Sequence, residues 1–346
     1  MSRAFSSSRL VVLAGAAALI VAQTATPVSA ALLVYDGFTI GAGPADYTAG
    51  DDSTGTNVLG GQNPATGPTA FYAGGWVQSG GDAQAVKDIG SLVYPLFPNS
   101  GGQIRETLEF SCCTFGRNGR EIAGGLGGGR DARTIYQSFL IDFGTQGTDS
   151  PTDFGKRGYE MWNGGIGDSF LAVDLSVNHF AGVNVLTLAA TTPSGTQSEA
   201  LNGGVLTLDA LAGVHLVVMK FEFNPADAVD PLATTADDDR ITVYLDPTDS
   251  IEGNYIPAAS ISIDASDLFL SHHSAISQFT FSGSGHTAGA FDELRWGDTF
   301  ADVTPFLTAA VPEPSSLSLL LLSLAGLGLA ARRALRPRAG HPSARR

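Results

Sequence analysis

Gly213 to Phe223 reads GVHLVVMKFEF and Thr134 to Phe143 reads TIYQSFLIDF, and these two runs decide the fold class. Val, Ile, Leu, Phe and Tyr crowd both, and such side chains fit a pleated surface better than a helical turn. TIYQSFLIDF is apolar on both alternating faces, which is stable only where layers cover the strand on both sides. It therefore predicts an inner strand, with GVHLVVMKFEF as a long central neighbour. Working outward, Phe170 to Val177 sets Leu171, Val173, Leu175 and Val177 opposite Asp174 and Ser176. Val183 to Ala189 and Arg240 to Leu245 repeat that period of two. Leu32 to Tyr35 and Ile104 to Phe110 open the series, and Ser277 to Phe281 and Phe291 to Trp296 close it.

Clusters of Gly, Asp, Asn and Pro separate these runs. The stretch up to about Gly102 reads as irregular, interrupted by Phe71-Tyr72 and Trp76-Val77, and Gly124 to Gly129 reads as a flexible loop. The nearest thing to a helix start, Leu208 to Leu211, is at most one turn. The expectation is an all-β, antiparallel, two-sheet sandwich.

Composition agrees. The chain has 346 residues with 43 Gly, and its only lysines are Lys87, Lys156 and Lys220. Setting aside the two ends leaves 11 basic against 33 acidic residues, a net charge of −22. Such a surface repels phosphate backbones and excludes nucleic acid as a partner. The two cysteines are adjacent, Cys112-Cys113, and neighbouring Cα atoms are too close for an unstrained disulfide. A structural or incidental role is expected for them.

The ends have a different chemistry. Arg3 and Arg9 precede an apolar run from Leu10 to Ala22, and Val28-Ser29-Ala30 then supplies small residues at positions −3 and −1. Residues 1–30 read as a secretory signal peptide cleaved after Ala30. At the other end stand Pro312-Glu313-Pro314, the uncharged run Leu317 to Ala331, and Arg332-Arg333. The run approaches the ~20 apolar residues of a membrane span. The arginines hold its far end on the cytoplasmic side, so the bulk of the chain is expected outside.

That three-part tail resembles the PEP-CTERM sorting signal of Gram-negative bacteria, although it runs on to Arg346, longer than is usual. The resemblance implies an exosortase as partner, a membrane-embedded cysteine protease-transpeptidase that removes the helix. The order of internal motifs is similar to the laminin-G-like, concanavalin A-like jelly rolls of PEP-CTERM proteins. The motifs are Tyr35 to Phe38, Tyr136 to Leu140, His215 to Lys220, Asp239 to Pro247, and Phe291 to Gly297 with Phe300 to Pro305. The resemblance implies a fold and no activity.

No catalytic motif fills that gap. The Glu-x-Asp-x-x-Glu pattern of jelly-roll glycanases is absent. Glu106 and Glu109 point to opposite faces of a regular strand, and so do the adjacent Asp292 and Glu293. No Gly-x-Ser-x-Gly elbow accompanies the histidines. Asp237-Asp238-Asp239 is the weak candidate for a calcium site, against the plainer reading of a solvated turn. For sugar stacking the candidates are Trp162 with Asn163, Trp76 and Tyr72.

The expected organisation is a signal peptide at 1–30, a sandwich at 31–306 and a sorting tail at 307–346. The expected function is an exported, exosortase-processed surface or matrix protein. It passes transiently through the inner membrane and has exopolysaccharide as candidate partner, with no enzymatic activity and no required cofactor. A polysaccharide hydrolase or lyase on the same fold, and a purely structural surface protein, are the alternatives.

Overall fold

The structure is a computed structural model. It describes residues 32–51, 57–64, 71–80, 84–106, 114–126, 133–144, 154–164, 171–180, 183–192, 195–203, 212–223, 239–263, 270–280 and 289–307. Two compact units are distinguished, Met1–Pro305 and Phe306–Arg346. The signal peptide with Ala30, Cys112-Cys113, Leu208 to Leu211 and the sorting motif (Pro312, Glu313, Pro314, Arg332, Arg333) lie outside the described residues. Among the described residues no helix is long and apolar enough to cross a membrane.

In chain order the strands are β1 Leu32–Asp36, β2 Tyr72–Gly80, β3 Gln84–Lys87, β4 Gln103–Glu106, β5 Thr114–Leu126, β6 Arg133–Asp142, β7 Phe154–Trp162 and β8 Leu171–Phe180. They continue with β9 Val183–Thr192, β10 Gly195–Ala200, β11 Val214–Phe223, β12 Asp239–Leu245, β13 Ala259–Ile263, β14 Leu270–Thr280 and β15 Ala290–Gly297. One short helix, α1 (Phe300–Val303), follows. Eight strands form a sheet in the order β13-β12-β11-β6-β15-β4-β3, with β1 also paired to β15, and seven form a second sheet, β10-β9-β8-β7-β14-β5-β2. Every pairing between these strands is antiparallel. The chain repeatedly changes sheet, at β1 to β2, β2 to β3, β4 to β5, β5 to β6, β6 to β7, β10 to β11, β13 to β14 and β14 to β15. Those crossings make the sandwich a jelly roll rather than two stacked meanders.

The two deciding runs are β6 and β11, paired along their whole length at the middle of the eight-stranded sheet. Their inward residues meet the other sheet through aromatics. Phe139 of β6 stacks on Tyr159 of β7 at 4.6 Å and on Phe291 of β15 at 5.0 Å. Stacked rings add about 0.5–1.5 kcal/mol per pair beyond area burial. The stretch before Gly102 is less irregular than its Gly content suggests, because β2 and β3 run through it. Gly124 and Gly125 lie within β5, at the register irregularity between its pairs at Glu121 and Leu126 and both at positive φ, while Gly127 to Gly129 lie outside the described residues.

β15 does not alternate regularly. Phe291, Leu294 and Trp296 belong to the core, so two residues, Asp292 and Glu293, stand between successive inward positions where one is normal. The register to β6 shifts between Asp292 and Arg295, and Glu293 has φ 55°. This is a β-bulge. It corrects the expectation that the two acids diverge, since both now leave the core side. There they pin the segment 91–100 across the outer face of the sheet. Asp292 Oδ2 accepts the Leu92 N–H at 2.8 Å and the Ser91 hydroxyl. Glu293 accepts the Ser100 N–H at 2.6 Å and the Tyr35 hydroxyl at 2.9 Å, and pairs with Arg295 at 3.0 Å.

Burial pushes the Asp292 carboxyl up to about 8, helped by the Glu293 charge. Burial likewise pushes the Asp36 carboxyl up to about 6. A carboxyl raised in the fold keeps its proton after the unfolded chain has lost its own at about 4. Its stabilising contribution is therefore complete below about pH 4 and lost as pH rises through the folded value. Glu252 works in the opposite sense. Burial raises it, but hydrogen bonds from Tyr244 and Tyr136 and the Lys220 ammonium outweigh that and lower it, so its contribution is lost on acidification. Stability to urea is expected to peak at about pH 5 and to fall towards pH 8. Asp292→Asn should flatten the upper limb, which urea titrations across that range would measure.

Candidate functional site

The strongest assembly of chemical groups lies on the outer face of the seven-stranded sheet, and it begins with the sequence of β7, FGKRGYEMW. Tyr159 and Met161 enter the core, so Lys156, Gly158, Glu160 and Trp162 share the opposite face. Across from Glu160 on β8 stands Asp174, directly in register. Gly158 permits this closeness: a Cβ there would come within 2.1 Å of the Leu175 carbonyl oxygen. Arg117 reaches over from β5.

The contacts form one chain. Arg117 Nε lies 2.7 Å from Glu160 Oε2, Lys156 Nζ lies 3.2 Å from Glu160 Oε1, and the same Nζ lies 2.5 Å from Asp174 Oδ2. The Arg117 guanidinium also sits over the Trp162 ring, 4.7 Å from its centroid. Burial pushes the Asp174 carboxyl up, Lys156 pulls it back and Glu160 adds to the rise, so it ends above its ordinary value. Burial alone would lower the Lys156 ammonium, but Asp174 and Glu160 more than reverse that, and it ends raised. The cluster balances two positive with two negative charges. Only the edges of Arg117, Lys156 and Asp174 reach solvent, each 15–18% exposed. General acid catalysis is hard to draw from the cluster, because each carboxylate already faces a fixed cation.

A second network lies at the end of β1. Asp36 accepts from the Tyr47 hydroxyl at 2.5 Å and the Phe38 N–H at 3.2 Å, with Arg120 at 3.7 Å. Trp76 donates its indole N–H to the Tyr47 oxygen at 2.9 Å, and Arg120 lies over the Tyr72 ring at 4.3 Å. His273 is fully buried beside these rings, 5.2 Å from Tyr72 and 5.4 Å from Trp76. A cavity of about 320 Å³ opens between β1, β5 and β6. Leu33, Phe71, Ile122 and Ile135 form its apolar wall, and Arg133 and Asp298 are its charged residues.

The sugar-stacking candidates are placed as follows. Trp76 is 2% exposed and Trp162 is 5% exposed, and both rings have protein against them. Tyr72 packs edge-on against Phe71 under Arg120. Asn163, half-buried, follows the last residue of β7. Of the calcium candidates, Asp237 and Asp238 lie outside the described residues, and Asp239 is buried at the first position of β12. No group of three or more metal-ligating side chains occurs among the described residues. His215 pairs through Nδ1 with Asp246 at 2.9 Å, away from the Arg117 to Asp174 cluster. Sequence reasoning misses that cluster because the apolar face of β7 is short and two glycines interrupt the strand. The signal was present as Lys-x-Gly-x-Glu-x-Trp, a polar face of period two around Tyr159 and Met161.

Residues 310–334 match the PEP-CTERM protein-sorting motif, and the motif implies processing by an exosortase. A comparison with curated proteins finds no match. Among solved structures, the chain is similar to an endo-1,3-beta-glucanase from Streptomyces sioyaensis. That likeness has 12% identity and TM-score 0.38 and covers 79% of this chain and 98% of that one. It is also similar to the T. cruzi calreticulin globular domain, with 10% identity and TM-score 0.35 over 75% of this chain and 95% of that one. A third likeness, to the binding domain of botulinum neurotoxin serotype G, has 13% identity and TM-score 0.35 over 74% and 48%. TM-scores of this size carry no argument about activity or ligand, and the fold rests on the sheets described above.

Removing one partner from a buried charge cluster leaves the others uncompensated, at a cost of about 3–5 kcal/mol when burial is complete. Lys156 is 18% exposed, so Lys156→Met is expected to cost about 2–3 kcal/mol. The triple change Lys156→Met, Glu160→Gln, Asp174→Asn should recover most of that loss. Urea midpoints of the two variants measure both effects.

Proposed function

We propose that this is an exported surface or extracellular-matrix protein. Its signal peptide is removed after Ala30, its tail holds it transiently in the inner membrane, and an exosortase then releases it near Pro312-Glu313-Pro314. The observation that carries the reading is the PEP-CTERM match over residues 310–334. The destination proposed for it is the outer face of a Gram-negative-type cell or its matrix.

Within that reading the sandwich is a non-catalytic module associated with exopolysaccharide. The support is physical: both acids that face each other across β7 and β8 are neutralised by Lys156 and Arg117. A net charge of −22 disfavours polyanionic glycans, so neutral polysaccharides are the expected class. The competing reading, a polysaccharide hydrolase or lyase, draws on the same cross-strand pair, Glu160 and Asp174. It would require one of them to release its cation and hold a proton.

In a host carrying an exosortase, intact-mass measurement of the mature protein is expected to give a chain beginning at Ala31 and lacking Leu317 to Arg346. A mature form that keeps those residues would count against the sorting reading. Retention on immobilised neutral polysaccharide, with no release of reducing sugar, is expected of the binding module. Sugar release abolished by Glu160→Gln would establish the enzyme instead.

A further inference from the structure

Five large apolar side chains stand exposed on two neighbouring segments over the outer face of the eight-stranded sheet: Ile89, Val93 and Leu96 on one, and Ile251 and Ile256 on the other. The segments are joined where the Tyr94 hydroxyl donates to the Pro247 carbonyl at 3.2 Å. Ile256 is 92% exposed and Val93 69%. Leu96 is held outward at a conformational cost. The turn Tyr94-Pro95-Leu96-Phe97 is closed by Phe97 N–H to the Tyr94 carbonyl at 3.1 Å, and Leu96 occupies its third position with φ 61°. That position of a type II turn ordinarily takes Gly, because a Cβ is strained there.

The chain leaves the sandwich beside this surface. Ser138 donates to the Val303 carbonyl at 2.5 Å, and the Ser250 hydroxyl, on the same loop as Ile251, donates to the Thr304 carbonyl. The α1 capping box of Thr299 and Asp302 fixes the approach. β1 begins close by, with Leu32 paired to Gly297. Only eleven residues, 306 to 316, separate Pro305 from Leu317, where the apolar run begins. Fully extended, that stretch reaches about 40 Å. An anchored tail therefore keeps the exit, and the apolar side chains next to it, close to the bilayer.

We infer that the surface formed by Val93, Leu96, Ile251 and Ile256 rests on the lipid bilayer while the tail is still attached. The inference rests on the reading of the tail as a membrane anchor. The occupant is lipid rather than nucleic acid or an acidic partner, because the contact groups are aliphatic and the surrounding chain is strongly acidic. The same charge disfavours anionic headgroups, so the contact is apolar and tolerant of salt.

The test uses the full chain in phosphatidylcholine vesicles containing brominated phosphatidylcholine, with one added tryptophan at a time as the depth probe. The native Trp76, Trp162 and Trp296 are buried and provide a constant background. Ile256→Trp is expected to emit at shorter wavelength and be quenched by brominated lipid. Gln197→Trp, exposed on β10 of the other sheet, should be unaffected. Leu96→Gly relieves the strained turn, so it should keep thermal stability while reducing the quenching at residue 256. Leu320→Trp reads tail insertion separately. Quenching at 320 without quenching at 256, equal quenching at 197 and 256, or quenching at 256 undiminished by Leu96→Gly would overturn the bilayer contact and leave the anchor reading standing. Absence of quenching at 320 would remove the anchor reading and this inference with it. A blue shift at 256 that grows with protein concentration and ignores brominated lipid would assign the surface to a second copy of the chain, and also overturns it.

Discussion

The bulge at Asp292 and Glu293 is the constraint on which much of the sandwich depends. β15 sits between β6 on one side and β1 and β4 on the other. Its inward residues, Phe291, Leu294 and Trp296, fill the middle of the core, where Phe291 stacks on Phe139 and Trp296 on Phe221. One extra residue in the strand gives two neighbouring acids the same outward direction. Those acids then satisfy the backbone N–H groups of Leu92 and Ser100, which a covering loop would otherwise bury without partners. The left-handed conformation of Glu293 is unfavourable for a non-glycine residue. Four contacts from Tyr35, Ser100, Arg295 and Asp292 to the Glu293 side chain and N–H hold it there.

How much of this could be read in advance depended on whether a run was punctuated by glycine. β6, β8, β9, β11 and β12 carry long apolar or alternating runs, and their strand character is legible from those runs alone. β2 (YAGGWVQSG) and β5 (TFGRNGREIAGGL) were not, because Gly interrupts them and a Gly-rich stretch reads as a turn. The physical reason they still form strands lies outside their own sequences. β5 is held between β14 and β2 by ladders on both sides, each interrupted by register shifts, and Arg120 from its middle reaches Gly74, Asn63 and Pro64. Tertiary pairing overrode local propensity.

The same difference explains the candidate site. Trp162 and Trp76 are isolated large rings in the sequence, but a lone aromatic is more often used to fill space than to present a face. Here Tyr47 and His273 occupy the surroundings of Trp76, and Arg117 covers Trp162. Lys156, Glu160 and Asp174 become one cluster only through the register of β7 on β8. Cross-strand neighbours are invisible in a linear sequence unless both strands and their registry are known. The bulge on β15 was equally illegible, since nothing in Phe-Asp-Glu-Leu announces a break in alternation.

The jelly roll and the tail therefore stand on different kinds of sequence information. The tail is a short, local code of proline, aliphatic run and arginine, readable residue by residue and matched as such over 310–334. The sandwich is a distributed object, whose charges acquire meaning only through pairing across strands far apart in the chain. Where the two meet, the sandwich uses its own side chains to decide where the tail begins. Thr299 and Asp302 cap α1, Phe300 packs against Tyr136, Tyr244 and Tyr255, and Ser138 and Ser250 hold the carbonyls of Val303 and Thr304. A processing signal works only if a membrane-bound protease can reach it. An exit point fixed to the folded domain sets how far from that domain the protease must work.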